Sequence, residues 1–459
     1  MKQFSKRALV ACLFFFSFII LPQTSLGQSY SFSLLRDNDP VEIQTMNEGL
    51  YCLFRTSAKK APVTVFKKVF LNEDLKCVDS LNYSIEGKAR LLSSTEDEKY
   101  VVHAFYTKTK TMEKIVFIVS DHQGTIVSTF FKTASDMSRY FGRPIKKLKN
   151  VFLSFLPNSG TPGMLLVRPI FVRSVVTHGS LFSLQAEDGR ELWVSNAPQL
   201  SSIQTTDKLI MGLSYSADGY TYFPSARIFW IDKSTGQVTK TIEFSQKSGR
   251  HRNISVFATN GQALMLAGSD HESYNEKDGK FFMTQYSLQG DLIFDRIDTA
   301  QRLSTKRMHL MGNTFDQNGN LVFVAESWKP DATRMIATTA ATVALAILSR
   351  GAYVNTGIAG MDHKIDQINF ATLSPDNGSV LTFRKFPVGP WLNYGRLLTQ
   401  GEHVLIIVNN QAIHYNVSDP DKPPSLFTSL QVNESLMLTS AGPVVVNVTR
   451  RHYKLKRLN

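Results

Sequence analysis

Ile115-Val-Phe-Ile-Val-Ser-Asp-His-Gln-Gly-Thr-Ile-Val-Ser-Thr-Phe-Phe131 is the stretch whose reading decides the fold of this 459-residue chain. Two runs of β-branched and aromatic residues flank a polar tip, His122-Gln-Gly124, the pattern of an antiparallel hairpin closed by a glycine turn. The same pattern returns at Leu181–Ser195 around Glu187-Asp-Gly189, and at Arg227–Phe244 around Ser234-Thr-Gly236. Further copies are Phe281–Ile297 around Gln289-Gly-Asp291 and Ile368–Phe386 around Asp376-Asn-Gly378. One hairpin cannot bury its own apolar face, so recurrence at a steady spacing implies stacked repeats.

The turns at Asn72–Asp74, Gly124, Gly189, Gly236, Gly290, Gly378 and Asp419–Asp421 lie about 40 to 65 residues apart, with one gap of about 88. That gap, between Gly290 and Gly378, holds a foreign segment at about 331–366. A second strand pair precedes each hairpin, for example at Lys99–Tyr106, Lys208–Tyr215 and His403–Asn409. Two pairs per period of roughly 50 residues make a four-stranded blade. No helical periodicity separates the strands, which excludes helical repeats. The expected fold is an all-β propeller of seven or eight blades. Eight fits better, because the chain ends on an incomplete unit (Leu436–Leu438, Val444–Val448, Tyr453–Leu458) that Tyr30–Leu35 can complete as its outer strand.

Leu181-Phe-Ser-Leu-Gln-Ala-Glu-Asp-Gly-Arg-Glu-Leu-Trp193 resembles the repeat of pyrroloquinoline-quinone-type eight-bladed propellers, where an acidic-Gly turn precedes a Trp that docks between blades. Ile228–Val238 resembles the same element, with Thr239 or Lys240 where the Trp would stand. The whole chain also resembles a family of uncharacterised secreted bacterial propeller-like proteins, a resemblance that implies no activity.

The N-terminus reads as a targeting segment. Lys2, Lys6 and Arg7 precede the apolar stretch Ala8–Leu21, and Ser25-Leu-Gly27 places small residues for cleavage after Gly27. The stretch is short of the roughly 20 residues of a membrane span. The expectation is an exported chain in the periplasm, the cell envelope or the medium, with residues 28–459 as one propeller domain. Past the signal only Cys52 and Cys77 remain. They fall in strands of one unit that are not neighbours, so two buried thiols are expected in place of a bridge. The formal charge is +13, concentrated at Arg143–Lys149, Arg302–Arg307 and Arg450–Arg457. Such charge suits anionic partners, or serves as a solvated surface. Export and the lack of a recognition module speak against nucleic acid.

Asp331–Gly351 is the oddest segment. Asp331 can cap a helix, Gly351 can end it, and no charge lies between Met335 and Ser349. A helix over about 332–350 would be roughly 28 Å long and apolar around its circumference, so it needs a burying surface. That surface is a face of the propeller, another subunit or partner, or a membrane. Met335, Ile336, Val343, Leu345, Ile347 and Leu348 are the candidate contacts.

Motifs for chemistry are sparse. No Gly-x-Ser-x-Gly elbow, zinc-binding His-Glu-x-x-His, phosphate loop or calcium loop occurs. Asp121-His122, Asp270-His271 and Asp362-His363 place a carboxylate beside an imidazole, yet neighbours along a strand point to opposite faces. His122 reads as a solvated turn residue. Asp270 and His271, in the polar loop Gly268–Gly279, are candidate ligand residues. Tyr220, Tyr222, Trp391 and Tyr394 are aromatic candidates on loops, suited to stacking on sugars or gripping a partner. No catalytic, cofactor or metal site is expected. The sequence reads as an exported, non-catalytic binding or scaffold propeller for a protein or glycan partner. The alternatives are a propeller enzyme (quinoprotein-like oxidoreductase or carbohydrate-active hydrolase) and an envelope-associated assembly factor using the insert.

Overall fold

The computed structural model describes residues 29–33, 41–46, 49–57, 62–156, 161–172, 176–215, 226–244, 251–272, 279–303, 308–330, 363–391, 396–400, 403–408, 411–416, 425–431, 433–439, 442–449 and 452–458. The fold is an all-β propeller of eight blades, each a four-stranded antiparallel sheet, with one short helix. Blade 1 comprises Val41–Met46, Gly49–Arg55, Val63–Leu71 and Cys77–Glu86. Blade 2 comprises Lys88–Glu96, Val101–Lys108, Glu113–Ser120 and Ile126–Thr133. Blade 3 runs Val151–Phe155, Met164–Val172, Phe182–Gln185 and Glu191–Val194, with Val176–His178 as a fifth strand on Met164–Val172. Blade 4 is Ser202–Thr205, Leu209–Tyr215, Ala226–Asp232 and Val238–Phe244. Blade 5 is His251–Thr259, Ala263–His271, Gly279–Ser287 and Leu292–Leu303. Blade 6 is Met308–Phe315, Leu321–Pro330, His363–Leu373 and Val380–Trp391. Blade 7 is Arg396–Gln400, His403–Val408, Gln411–Asn416 and Ser425–Ser429. Blade 8 is Glu434–Thr439, Gly442–Thr449 and His452–Arg457, joined by Ser29–Ser33 at its outer edge.

Two compact units hold these sheets. Residues 1–58, 65–83 and 432–459 form one, around blades 1 and 8; residues 59–64 and 84–431 form the other, with blades 2 to 7. In the larger unit the first strands of successive blades touch: blade 2 meets blade 3, blade 4 meets 5, 5 meets 6 and 6 meets 7. The first strand is therefore the inner one of each blade. The middle strands are covered on both faces, which explains their unbroken apolar runs: Glu113–Ser120 is buried over its last six residues, while the outer strand Ile126–Thr133 is not. The core is a series of layers between neighbouring sheets, such as Phe117, Val119, Phe182 and Leu184 between blades 2 and 3. In the smaller unit, Leu50, Cys52, Val444 and Val446 form the layer between blades 1 and 8.

The recurring hairpins are the third and fourth strands of blades 2 to 6, and their turns also join the blades. Gly236 has φ +70°, and a Cβ there would lie 2.3 Å from the Trp193 indole of blade 3. Gly189 has φ +70°, and a Cβ there would lie 2.2 Å from the Phe130 ring of blade 2. Only glycine admits both the left-handed backbone and the ring. Trp193 Nε1 donates to the Lys233 carbonyl at 2.9 Å, so the indole is held as well as buried. Lys240 takes the corresponding place in blade 4. Its stem covers Gly290, and its Nζ reaches Gln289 O at 3.1 Å and Asp291 Oδ1 at 2.8 Å. Phe294 of blade 5 covers Gly378 in the same way.

Three expectations change in detail. The break in the repeat is 331–362, because His363 pairs with Pro330 and opens the third strand of blade 6. The expected helix and its six candidate contacts lie outside the described residues, as does the Asp419–Asp421 turn. Gly268–His271 is strand, not loop, because the blade 5 ladder runs on to the pair His251–His271. Cys52 and Cys77 are free thiols in strands separated by Val63–Leu71, but only Cys52 is buried; Cys77, on the outer strand of blade 1, is exposed. The helix Ala134–Tyr140 was not foreseen. It starts on a capping box, with Thr133 and Asp136 exchanging backbone and side-chain hydrogen bonds.

Candidate functional site

The two edges of the blades in the larger unit differ. Each glycine turn packs on the beginning of the last strand of the blade before it, so these tight turns gather at one edge. The first-to-second-strand turns join them there, closed by local bonds such as Tyr100 N to Asp97 Oδ1 at 2.7 Å and Asn320 N to Asp316 Oδ1 at 2.8 Å. The four longest connections leave from the opposite edge: 134–150 after blade 2, 173–181 inside blade 3, 216–225 inside blade 4 and 331–362 inside blade 6. Loops that a scaffold can vary without breaking its ladders are the usual seat of binding.

Basic side chains gather at that edge. Lys88 and Lys108 are register partners, and with Pro62, Glu86, Gly87, Thr109, Lys110 and Thr111 they line a recess of about 640 Å³. The segment after the helix is tied against it. Leu148 N donates to Glu113 Oε2 at 2.9 Å, and Glu113 Oε1 pairs with Lys108 Nζ at 3.2 Å. Arg90 lies over Phe152 at 4.7 Å and Tyr106 at 5.4 Å, and its Nη2 donates to the Lys149 carbonyl. These bonds hold the segment while Arg143, Lys146, Lys147 and Lys149 stay exposed. Lys88, Lys108 and Lys110 line the recess with Glu86, and beside it Glu113 pairs with Lys108.

The sequence candidates Asp270 and His271 are fully buried. Asp270 Oδ2 meets Arg252 Nε at 3.4 Å, and Arg252 Nη1 reaches Asp295 Oδ1 at 2.7 Å, which also accepts from Thr284 at 2.8 Å. The Arg252 guanidinium stacks over Phe282 at 4.8 Å. Ser269 Oγ lies 3.0 Å from His271 Nε2. Asp270 thus belongs to an ion-paired pin with Arg252 and Asp295 across the strands of blade 5, and His271 is held by Ser269. His122 is half-buried, with Nε2 2.9 Å from the Asp97 carbonyl. Tyr220, Tyr222 and Tyr394 lie outside the described residues, and Trp391 ends blade 6 with its backbone paired to Ile365.

A second pocket, of about 330 Å³, lies among the inner strands of blades 4, 5 and 6 and the adjoining strands of blades 3 and 4. Ser201, Ser202, Gln204, Ser255 and Asn313 supply its polar wall, Ile203, Ile254 and Phe257 its apolar one, and Arg168 its one basic side chain. None of its described lining residues is Asp or Glu. A glycosidase needs two facing carboxylates roughly 5–9.5 Å apart, and this lining provides no such pair. Among the described residues no three His, Cys, Asp or Glu side chains converge as metal ligands. No described helix is long and apolar enough to cross a membrane.

Sequence reasoning named neither Arg168 nor Arg252, because no motif surrounds them and their partners arrive from other strands. The basic run Arg143–Lys149 was visible; its junction with Lys88, Arg90 and Lys108 was not.

No known protein family matches the chain, and no curated protein matches it. Among solved structures, the β-propeller domain of the trilobed protease from Pyrococcus furiosus is similar over 86% of this chain and 97% of that one, at 12% identity and a TM-score of 0.39. Prolyl oligopeptidase B from Galerina marginata is similar over 92% of this chain, which spans 55% of that one, at 10% identity and a TM-score of 0.44. The Pan2 WD40 domain of Neurospora crassa is similar over 95% and 91% of the two chains, at 8% identity and a TM-score of 0.36. The likeness is one of β-propeller fold, and it assigns this chain to no family.

Proposed function

We propose that this is an exported, non-catalytic binding propeller that docks an anionic glycan on the edge carrying its long connections. The observation that carries the reading is a recess lined by Lys88, Lys108 and Lys110 with the single carboxylate Glu86, next to the tied-down segment on which Arg143, Lys146, Lys147 and Lys149 are exposed. A cupped cationic surface attracts a polyanion over a Debye length of about 8 Å at physiological salt, and the recess can receive one charged unit of the chain. Export rests on the N-terminal signal pattern, which argues for a glycan over nucleic acid. The resemblance of Leu181–Trp193 to quinone-type repeats enters as architecture alone: the indole bridges two blades, and no quinone chemistry is proposed.

The test is equilibrium binding to polygalacturonate, with dextran as neutral control and anionic phospholipid vesicles as a separate arm. The expected result is binding to the uronate polymer that weakens steeply with salt and falls at least tenfold in the triple variant Lys108→Gln, Lys110→Gln, Lys147→Gln. Absence of binding at low salt, binding indifferent to the triple variant, or preference for vesicles overturns the reading.

A further inference from the structure

We propose that the pocket between blades 3 and 6 is a second, independent site, which takes a small ligand by its carboxylate or phosphate group on Arg168. Arg252, only 8% exposed, is balanced by Asp270 and Asp295. Arg139 at the surface has Glu191. Arg168 has no such partner among the described residues: Nη2 contacts His178 Nδ1 at 2.8 Å, and the enclosed Nε donates to no acceptor. Burial pulls this guanidinium below its ordinary range, with no acid to restore it. A desolvated cation is costly unless an anion or a set of acceptors meets it.

The fold spends a dedicated element on this arrangement. Val176–His178 is the extra strand of blade 3, and its pairing of His178 with Ile170 sets the imidazole beside Arg168. Burial, and then the Arg168 charge, hold His178 below the usual histidine range, so at neutral pH it is an uncharged acceptor that orients the guanidinium without neutralising it. The other polar residues lining this pocket are Ser201, Ser202, Gln204, Ser255 and Asn313, with Ile254 and Phe257 among its apolar ones; Ser201 Oγ is held by the Leu213 carbonyl at 2.8 Å and Gln204 Nε2 by the Phe257 carbonyl at 2.9 Å. A cation among neutral hydrogen-bonding groups is the complement of an anionic oxygen cluster. The volume of about 330 Å³ sits at the small end of the roughly 300–1,000 Å³ found for small-molecule pockets, so the ligand is small.

The site is tested on the full chain by thermal unfolding and calorimetric titration, with inorganic phosphate in one arm, succinate in another and the neutral succinamide as control. Wild type should bind one or both anions with a rising midpoint, and Arg168→Gln should weaken that binding at least tenfold. Without anion, Arg168→Met should be as stable as wild type or more so, because it removes a half-buried charge that no carboxylate balances; saturating anion should reverse that order. The arm that binds more tightly identifies the group as phosphate or carboxylate. If neither anion binds wild type more tightly than Arg168→Gln, or if Arg168→Met is the less stable protein in the absence of anion, the proposal is wrong. Should both Arg168 variants fail to fold, Ser202→Ala with Gln204→Ala on the opposite wall must lower anion affinity for the proposal to stand. The Lys108, Lys110, Lys147 triple variant keeps the pocket response, so failure at the glycan surface and failure at Arg168 are separate results.

Discussion

At the residue scale, the contacts between blades are made by side chains laid over glycines. Gly236 combines a positive φ with an indole where its Cβ would be, so Gly236→Ala should cost about 2–3 kcal/mol, read as a lower urea midpoint with unchanged slope. The glycine and the following Trp193 were visible in the sequence. The substitution of Lys240 for the next Trp became intelligible only when its ammonium was seen on the Gln289 carbonyl. Glu187 is another inter-blade clasp. Burial works to raise its carboxyl, but bonds from Gln185, Tyr100, its own backbone and Lys99 outweigh that and hold it at about 2, against 4.5 for a free side chain. A depressed carboxyl stabilises the fold above the unfolded value and loses that contribution as pH falls through the folded one. Stability should therefore drop between about pH 4.5 and 2 in wild type, and less steeply in Glu187→Gln, measured by denaturation at each pH. Solvent screens this half-exposed group, so the effect is small.

At the element scale, strands were legible because their runs are β-branched and bounded by turn residues; their ends were less so. The blade 5 strand that ends at His271 carries Ser269-Asp270-His271, a polar trio that reads as loop until Arg252 is seen to pair with Asp270 across the ladder. The helix Ala134–Tyr140 has only seven residues, too few for a periodic signal, though Thr133 and Asp136 stand at the capping-box spacing. Strand order also settles the cysteines. Val63–Leu71 separates Cys52 from Cys77, and burial pushes the Cys52 thiol up to about 12. In the chain without residues 1–27, a thiol reagent should modify one group, Cys77, in the native protein and both after unfolding, with no reductant needed; no reactive thiol in denaturant would mean a bridge.

At the scale of the whole molecule, Ser29–Ser33 completes blade 8 by pairing with His452–Arg457. Phe32 packs there between Phe54 at 4.5 Å and Tyr453 at 5.1 Å. Deleting residues 29–33 should uncover the edge of His452–Arg457 and lower the thermal midpoint, with light scattering reporting association through the open edge. Retention of the wild-type midpoint and of a monomeric size would show that this strand does not seal the blade. The number of blades and the pairing of the two termini follow from counting turns, because each repeat is closed by local interactions.

The sequence by itself determined the repeat, its glycine turns, a ring of seven or eight blades and the basic character of one connection; strand pairing made the count eight. Each is written within one period of the chain, where hairpin geometry and apolar alternation act locally. The tertiary structure alone decided which charges are balanced. Arg252 meets Asp270 and Asp295, whereas Arg168 meets His178 and a wall from blades 4, 5 and 6. Electrostatic balance is a property of everything within a few ångströms, and in a propeller those neighbours come from strands that lie tens of residues apart in the chain.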